Sequence, residues 1–335
     1  MIMSGSCSSQ SVMDYPEGKE FIFSIFDDTD VSTLNYIRPI YDQLHALGII
    51  TTKSVWPLGY NGDSDYKGSH TLQDDAYAWY MNELQDNGYE IAYHGPTMVS
   101  STREETTRAL DLFRNVLGRY PRCYAPHSQN RENLYWGRAR FTIPFFRWLY
   151  TFIANENPGH YQGHLEASTY FWGDICLKHI DYVRNFTFTE MNLLNISDML
   201  TYHDAAKPLV KSWFFTADAD NVEEFNRLLC EANQERLERE RGVCFVSTHF
   251  GKGYVKGSRL HQDTAALLKT LSLRNGWFVP VSTALDYIRS RQDQESLTVV
   301  QRIVLEARWF LHTIRRRRGA LQYDKTEIDY LAGVA

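Results

Sequence analysis

Short, continuously apolar runs alternate along this chain with longer amphipathic segments. The run 21–26 (Phe-Ile-Phe-Ser-Ile-Phe) is almost wholly apolar, as in a strand that is buried on both faces. Segment 34–47 places its apolar residues on one helical face and is followed by Gly48, which predicts a helix that ends there. The same strand and helix unit recurs twice before residue 123. Three successive units predict a parallel sheet or barrel.

The pattern predicts a single α/β domain with short extensions at both ends. Strands are predicted at 21–26, 49–55, 89–93, 123–125, 170–176, 182–187, 243–247 and 277–280, and helices at 34–47, 75–87, 103–117, 222–241, 264–273 and 296–314. We therefore expect a distorted or incomplete (β/α) barrel over residues 20–290. A flexible N-terminal segment, 1–19, precedes it, and a helical tail, 291–335, follows it.

Composition narrows the class of protein. The formal net charge of -6 gives no general attraction to nucleic acid or to an anionic membrane. Five cysteines without a C-x-x-C pair make neither a disulfide framework nor a thiolate metal site. The Ser-rich start does not look like a secretory signal, and no apolar run is long enough to span a membrane. We expect a cytoplasmic protein whose oligomeric state the sequence does not indicate.

Acidic and imidazole side chains stand where predicted strands end. Asp27 and Asp28 follow the first strand, His94 follows the third, and His249 follows the strand at 243–247. Each has an ordinary structural alternative, because acidic residues cap helices and single histidines often only donate hydrogen bonds. Together they are harder to dismiss, since the carboxyl ends of barrel strands converge on one face. Carboxylate and imidazole are also normal ligands for zinc, manganese or iron.

Four stretches of the chain resemble motifs of the polysaccharide deacetylases, the enzymes grouped with carbohydrate esterase family four. Segment 23–28 (Phe-Ser-Ile-Phe-Asp-Asp) resembles the T/S-F-D-D motif, and 89–94 (Tyr-Glu-Ile-Ala-Tyr-His) resembles E-I-x-x-H. Segment 246–249 (Val-Ser-Thr-His) resembles the late hydrophobic-x-x-His motif, and 276–285 resembles the closing strand and helix. The resemblance spans roughly residues 20–290 and implies that family's barrel fold.

The resemblance also implies roles for individual residues. Asp27 would be the catalytic base, Asp28 and His94 would bind a divalent metal, and His249 would be the general acid. The chain departs from the family where a second histidine ligand is expected, because the H-x-x-x-H pattern here ends in Met98. His127 is the candidate replacement, against the alternative that it hydrogen-bonds in the core.

A polar and aromatic cluster follows His127 in the sequence. Segment 130–137 (Asn-Arg-Glu-Asn-Leu-Tyr-Trp-Gly) combines amide, guanidinium and ring side chains. Asn130, Arg131, Tyr135 and Trp136 are candidates for holding sugar hydroxyl groups against a ring. An aromatic loop that packs its own apolar side is the equal alternative.

These observations predict a metal-dependent hydrolase that removes an N-acyl group, in the first place N-acetyl, from an amino sugar or glycan intermediate. The cofactor would be zinc, with manganese, nickel, cobalt or iron as alternatives. Two other functions stay open. One is an amidohydrolase or deformylase that acts on a non-sugar amide, and the other is a catalytically silent carbohydrate-binding protein with a degenerate pocket.

Overall fold

The computed structural model describes residues 14–62, 64–66, 68–154, 157, 159–292 and 294–323, with side chains described as far as residue 316. The first part of the predicted N-terminal segment and the end of the predicted tail lie outside these residues. The strands are β1 Phe21–Asp27, β2 Thr52–Val55, β3 Glu90–Tyr93, β4 Cys123–Tyr124, β5 Tyr182–Phe188, β6 Thr201–Tyr202, β7 Ser212–Asp218, β8 Val243–Thr248, β9 Val255–Lys256, β10 Arg259–Leu260 and β11 Gly276–Phe278.

Helices occupy most of the connections between these strands. They are α1 Leu34–Ala46, α2 Asp75–Asp86, α3 Arg103–Leu117, α4 Pro144–Ala154, α5 Gly173–His179, α6 Val222–Leu228, α7 Glu231–Arg239, α8 Gln262–Ser272, α9 Val281–Ser290 and α10 Val299–Tyr323. Short 3-10 turns lie at Pro16–Gly18, Gly137–Arg140 and Leu193–Asn195.

In the described part of the chain, seven parallel strands close into a barrel in the order β1, β2, β3, β4, β5, β7, β8 and back to β1. The closing pair is long, because Ile22 to Asp27 face Val243 to Thr248 in register. β11 adds to β1 in parallel, and β6 pairs antiparallel with β7. Every residue of β1 and β8 is buried, as expected for strands with packed layers on both sides. The predicted (β/α) barrel is therefore confirmed.

Two predicted elements differ from the structure, and one strand was missed. The predicted strand 170–176 is wrong, because residues 173–176 belong to α5. The indole of Trp172, just before this helix, donates to the Glu132 carbonyl oxygen. The predicted helix 222–241 is two helices, since Cys230 adopts an extended backbone between α6 and α7. The strand β7 was not predicted, although it lies between β5 and β8 and pairs with both, so the barrel is incomplete without it.

The last helix is packed onto the barrel. Trp309 is 5% exposed, and its ring lies 4.9 Å from that of Phe186 on β5. Arg302 donates to Asp204 at 2.6 Å, and Glu306 accepts from the Thr142 and Ile143 amides just before α4. The predicted boundary at residue 290 between barrel and tail stays a prediction. The contacts above hold α10 against the barrel.

Every helix in the described ranges is too short or too polar to cross a membrane. The location of the protein in the cell stays a prediction.

Candidate metal centre

Five titratable side chains meet at the carboxyl ends of the barrel strands. Asp28 and Asp30 follow β1, His94 follows β3, His127 follows β4 and His249 follows β8. All five side chains are at least 85% buried, and each lies within 4.0 Å of another member of the group. Parallel strands bring their carboxyl ends to one rim, so residues that are far apart in sequence share one site.

Asp30, His94 and His127 have the arrangement of metal ligands. Each offers one ligand atom, and the three atoms lie within 4.8 Å of one another. Asp30 Oδ1 is 3.3 Å from His94 Nε2 and 3.8 Å from His127 Nε2. All three atoms are buried and lack a hydrogen-bond partner. Buried polar atoms normally have a hydrogen-bond partner. Three potential ligand atoms that lack one and converge on one point therefore fit a bound cation.

The neighbours of His127 fix its tautomer. Asn130 Nδ2 donates to Glu132 Oε1 at 2.9 Å and to the Val99 carbonyl oxygen at 3.1 Å, so its Oδ1 is left to face the imidazole. His127 Nδ1 lies 3.1 Å from that oxygen and therefore carries the proton. The lone pair of Nε2 then points toward Asp30. Burial lowers the pKa of His127, which also keeps the ring in the neutral form that binds metals.

Asp28 is held by a guanidinium group. Arg184, on β5, donates from both terminal nitrogens to the two carboxylate oxygens, at 3.0 and 2.6 Å. Burial works against the charged carboxylate, but Arg184 and the nearby histidines hold the pKa of Asp28 below its usual value. Both oxygens are already engaged, so Asp28 is an ionised carboxylate that is oriented by Arg184 and less free than Asp30 to bind a cation.

His249 lies between two carboxylates. Its Nε2 is 3.2 Å from Asp30 Oδ2, and its Nδ1 is 3.1 Å from Asp220 Oδ1. Lys252 in turn lies 3.0 Å from Asp220. Burial disfavours a charge on the imidazole, but Asp30 and Asp220 outweigh it and raise the pKa of His249 to about 10. The ring is therefore oriented by Asp220 and protonated near neutral pH.

Two local backbone features bring these loops together. Val31 has a φ of 56°, which is rare for a β-branched residue, and this turn follows Asp30 directly. Gly251 packs against the same turn, since a Cβ there would lie 2.6 Å from the Asp30 and Val31 carbonyl oxygens. The loop after His249 can approach Asp30 this closely only because residue 251 is glycine.

Asp27 lies on the opposite side of the strand from this cluster. Its carboxylate is 3.2 Å from Lys53 Nζ and accepts from the Tyr41 hydroxyl and the Phe250 amide, at 3.1 and 2.9 Å. Neighbouring residues of a strand point to opposite faces, so Asp27 faces helix α1 when Asp28 faces the rim. The structure does not bring Asp27 to the site, and this geometry argues against its predicted role as the base.

The four residues predicted to hold substrate lie in different places. Asn130 is buried behind His127, and Arg131 stacks over Tyr170 with its guanidinium carbon 4.8 Å from the ring centroid. Tyr135 and Trp136 line a separate cavity whose lining contains none of the five clustered residues. Their binding roles stay predictions. Met98, at the position of the family's second histidine, is 4% exposed and belongs to the apolar interior.

Aromatic rings surround the imidazoles of the candidate metal centre. Trp56 lies 5.7 Å from His94 and 5.6 Å from His127, measured between ring centroids. Tyr66, on the loop before α2, packs edge-on against His127 at 4.9 Å and is half-buried. Trp56 restricts the two ligand rings, while Tyr66 stays partly exposed beside them.

Sequence reasoning missed three residues of this site. Asp30 is the third carboxylate of the segment 27–30, and it lies past the end of β1, where strand alternation no longer predicts the direction of a side chain. Arg184 carried a signal, since a charge inside a buried strand needs a partner. Asp220 follows β7, and without that strand its position could not be predicted.

Comparisons with known proteins bear on the fold. No protein-family model matches the sequence, and no curated protein matches it either. A protein from Mycobacterium smegmatis assigned as a polysaccharide deacetylase superposes with a TM-score of 0.51 at 12% identity, over 85% of this chain and 96% of that one. The allantoinase Puue aligns with a TM-score of 0.47 at 12% identity, over 83% of this chain and 93% of its own. A Pseudomonas aeruginosa PAO1 protein assigned to the same deacetylases has a TM-score of 0.47 at 11% identity, over 83% and 94%. The agreement with the first of these structures extends over nearly its whole length. The chain therefore has the (β/α) barrel fold of the polysaccharide deacetylases.

Proposed function

We propose that the protein is a metal-dependent hydrolase that removes an N-acyl group, in the first place N-acetyl, from an amino sugar or a glycan intermediate. One observation carries the proposal. Three unpaired ligand atoms, of Asp30, His94 and His127, converge beside a carboxylate that Arg184 orients and an imidazole that Asp220 orients. A cation site next to an acid and a base is what amide hydrolysis requires.

Asp30, His94 and His127 would hold the cation, and Asp28 would not. Two imidazole nitrogens and one carboxylate oxygen form a normal three-residue ligand set for catalytic zinc, which leaves a fourth position open. Manganese, nickel, cobalt and iron accept similar ligands, so the choice of zinc is part of the proposal. When bound, the cation supplies Lewis-acid activation of water and of the acyl carbonyl group.

Asp28 and His249 would carry the protons. Asp28 is ionised and held in one orientation by Arg184, so it can accept a proton from the attacking water. Asp220 at Nδ1 and Asp30 at Nε2 favour the protonated form of His249, and its Nε2, which lies 3.2 Å from Asp30 Oδ2, would give its proton to the departing nitrogen. Asp27 then has a structural role, because it fixes the Phe250 amide beside His249.

The proposal that the substrate is a sugar is supported by an aromatic ring, that of Tyr66, beside the candidate metal centre. Tyr66 is half-buried next to His127, where a pyranose ring could pack on its exposed side. An acyl group bound at the cation would then place the rest of an amino sugar near this ring.

The test is acetate release from chitooligosaccharides by metal-depleted protein that is reloaded with zinc, manganese, nickel, cobalt or ferrous iron. We expect activity only after reloading. His94→Ala should abolish both metal binding and activity, whereas His45→Ala, which changes an exposed histidine on α1, should alter neither.

The substrate and the mechanism can fail separately. Metal-dependent activity on small formamides with none on chitooligosaccharides would contradict the sugar substrate. Protein that binds no metal and hydrolyses no amide would contradict the proposed function as a whole.

A further inference from the structure

A second cavity lies apart from the candidate metal centre. It has a volume of about 330 Å³ and is formed by segment 135–147, the stretch 159–165 and residues 206–207. This is near the lower end of the usual range for small-molecule sites and suits one monosaccharide-sized unit. The cavity includes Tyr135 and Trp136, which the sequence marked as candidate binding residues but which the metal centre does not use.

The walls of the cavity are cationic. Arg138, Arg147 and Lys207 line it, and its described lining contains no Asp or Glu. Lys207 is neutralised by Asp204 at 2.6 Å behind the wall. Arg147 is different, because it pairs with no carboxylate among the described residues. Its Nε and Nη2 donate to the Phe141 carbonyl oxygen at 3.1 and 2.7 Å, which fixes the guanidinium group, and the part of the chain that the structure describes gives it no counter-charge.

Two aromatic side chains of the cavity are held in place by their neighbours. The Tyr161 hydroxyl donates to the Ser128 carbonyl oxygen at 2.9 Å, and the Arg140 guanidinium stacks on Trp136 with its carbon 3.2 Å from the ring centroid. Fixed rings of this kind present flat surfaces on which the apolar face of a pyranose can pack.

The backbone at Tyr135, in the wall of the cavity, is strained. Its φ is 48°, in the left-handed region that side-chain-bearing residues avoid. Its amide donates to His164 Nδ1 at 3.2 Å, and the two rings lie 4.5 Å apart. Because Nδ1 accepts, the proton of the neutral His164 ring is on Nε2, which can donate a hydrogen bond. Strain of this kind persists where surrounding contacts hold it and is concentrated at functional sites.

We propose that this cavity binds an anionic sugar unit, a pyranose that carries a carboxylate or a phosphate. The guanidinium group of Arg147 pairs with the charge, and the rings of Trp136 and Tyr161 pack on the sugar. The site is separate from the proposed hydrolysis, so it can be tested on metal-depleted protein.

The test is a saturation-transfer NMR titration of metal-depleted, full-length protein with glucuronate, glucose 6-phosphate, glucose and inorganic phosphate. At least one of the two anionic sugars should bind at least about tenfold more tightly than glucose or inorganic phosphate, the usual worth of a hydrogen bond to a charged group. The stronger of the two identifies carboxylate or phosphate as the charge.

Substitutions place the binding in the cavity. Arg147→Gln should raise the dissociation constant of the anionic sugar by about tenfold or more. Arg147→Lys should raise it less, since the charge is kept. Arg114→Gln, which changes an exposed arginine on α3, is the matched control and should have no effect. Melting temperatures of all three variants report whether the fold is intact.

Four results would overturn the proposal. They are equal binding of glucose and the anionic sugars, inorganic phosphate binding as tightly as the stronger anionic sugar, unchanged binding by a folded Arg147→Gln variant, and no binding by both anionic sugars. Loss of hydrolytic activity alone would not overturn it. The variant His94→Ala, which should lose the metal and the activity, should still bind the anionic sugar in this separate cavity.

Discussion

Asp27→Asn separates a structural role of Asp27 from a catalytic one. The change removes one charge and keeps the volume of the side chain. The remaining amide oxygen can still accept from the Phe250 amide, but Lys53 loses the counter-charge that lies 3.2 Å from its Nζ. Both side chains are fully buried, so the ammonium group has no water to replace the carboxylate. Neutralising one partner of a buried ion pair costs about 3–5 kcal/mol, and we expect a loss of that size in the free energy of unfolding.

Urea unfolding at pH 7, followed by tryptophan fluorescence, measures this loss. Lys53→Met should destabilise by a similar amount, because it leaves Asp27 charged and unpaired. The double variant Asp27→Asn, Lys53→Met has no unpaired charge and should lose clearly less than the sum of the two single losses. A double variant whose loss equals that sum would refute the buried ion pair as the source of the effect.

Turnover of the same variant completes the test. Below its unfolding transition, Asp27→Asn should keep its rate within about tenfold, whereas loss of a positioned proton-transfer group costs about two to four orders of magnitude. A stable Asp27→Asn protein with a rate loss of that larger size would return the base role to Asp27.

Three further predictions concern the site and its support. Asp28→Asn should keep the metal and lose about two to four orders of magnitude in turnover, which metal analysis and steady-state kinetics measure together; loss of the metal instead would make Asp28 a ligand. Asn130→Leu should weaken metal affinity by about 10–100-fold, measured by chelator competition, because the tautomer of His127 is no longer fixed; unchanged affinity would contradict this. Burial raises the pKa of Glu132 to about 7 despite hydrogen bonds from Ser101 and Asn130, so the folded state keeps a proton that the unfolded chain loses. Stability from this group is full below its unfolded pKa and falls by about 3 kcal/mol as pH rises to about 7, and urea unfolding of Glu132→Gln should lack this slope.

The barrel was predictable because its strands are buried on both faces. Continuous apolar runs such as 21–26 and 243–247 occur where helices cover a parallel sheet, and glycine after each early helix marked the boundaries. β7 was missed because its aromatic run has neither polar alternation nor a flanking glycine. The segment 170–176 has a similar aromatic character but forms a loop and the start of α5, so tertiary packing of Trp172 decided what composition could not.

The site was predictable only as far as strand ends could be located. His94 and His249 follow strands directly, and His127 lies three residues after the end of β4, so their convergence is a consequence of the parallel barrel. The choice among the carboxylates depends on which face of the strand each side chain takes and on the path of the chain after the strand. Asp27 and Asp28 exchange faces if the strand shifts by one residue, and Asp30 lies past the end of β1, where strand alternation does not predict the direction of its side chain.

Metal stoichiometry of the wild-type protein and of two histidine variants tests the central claim most directly. After loading with zinc and removal of free ion, elemental analysis should find about one equivalent in the wild type, because three residues supply the ligands of a single site. His127→Ala should lose the metal, and His249→Ala should retain it, since the first is a proposed ligand and the second a proposed acid. Full zinc content in His127→Ala, or loss of zinc in His249→Ala alone, would contradict the ligand set of Asp30, His94 and His127.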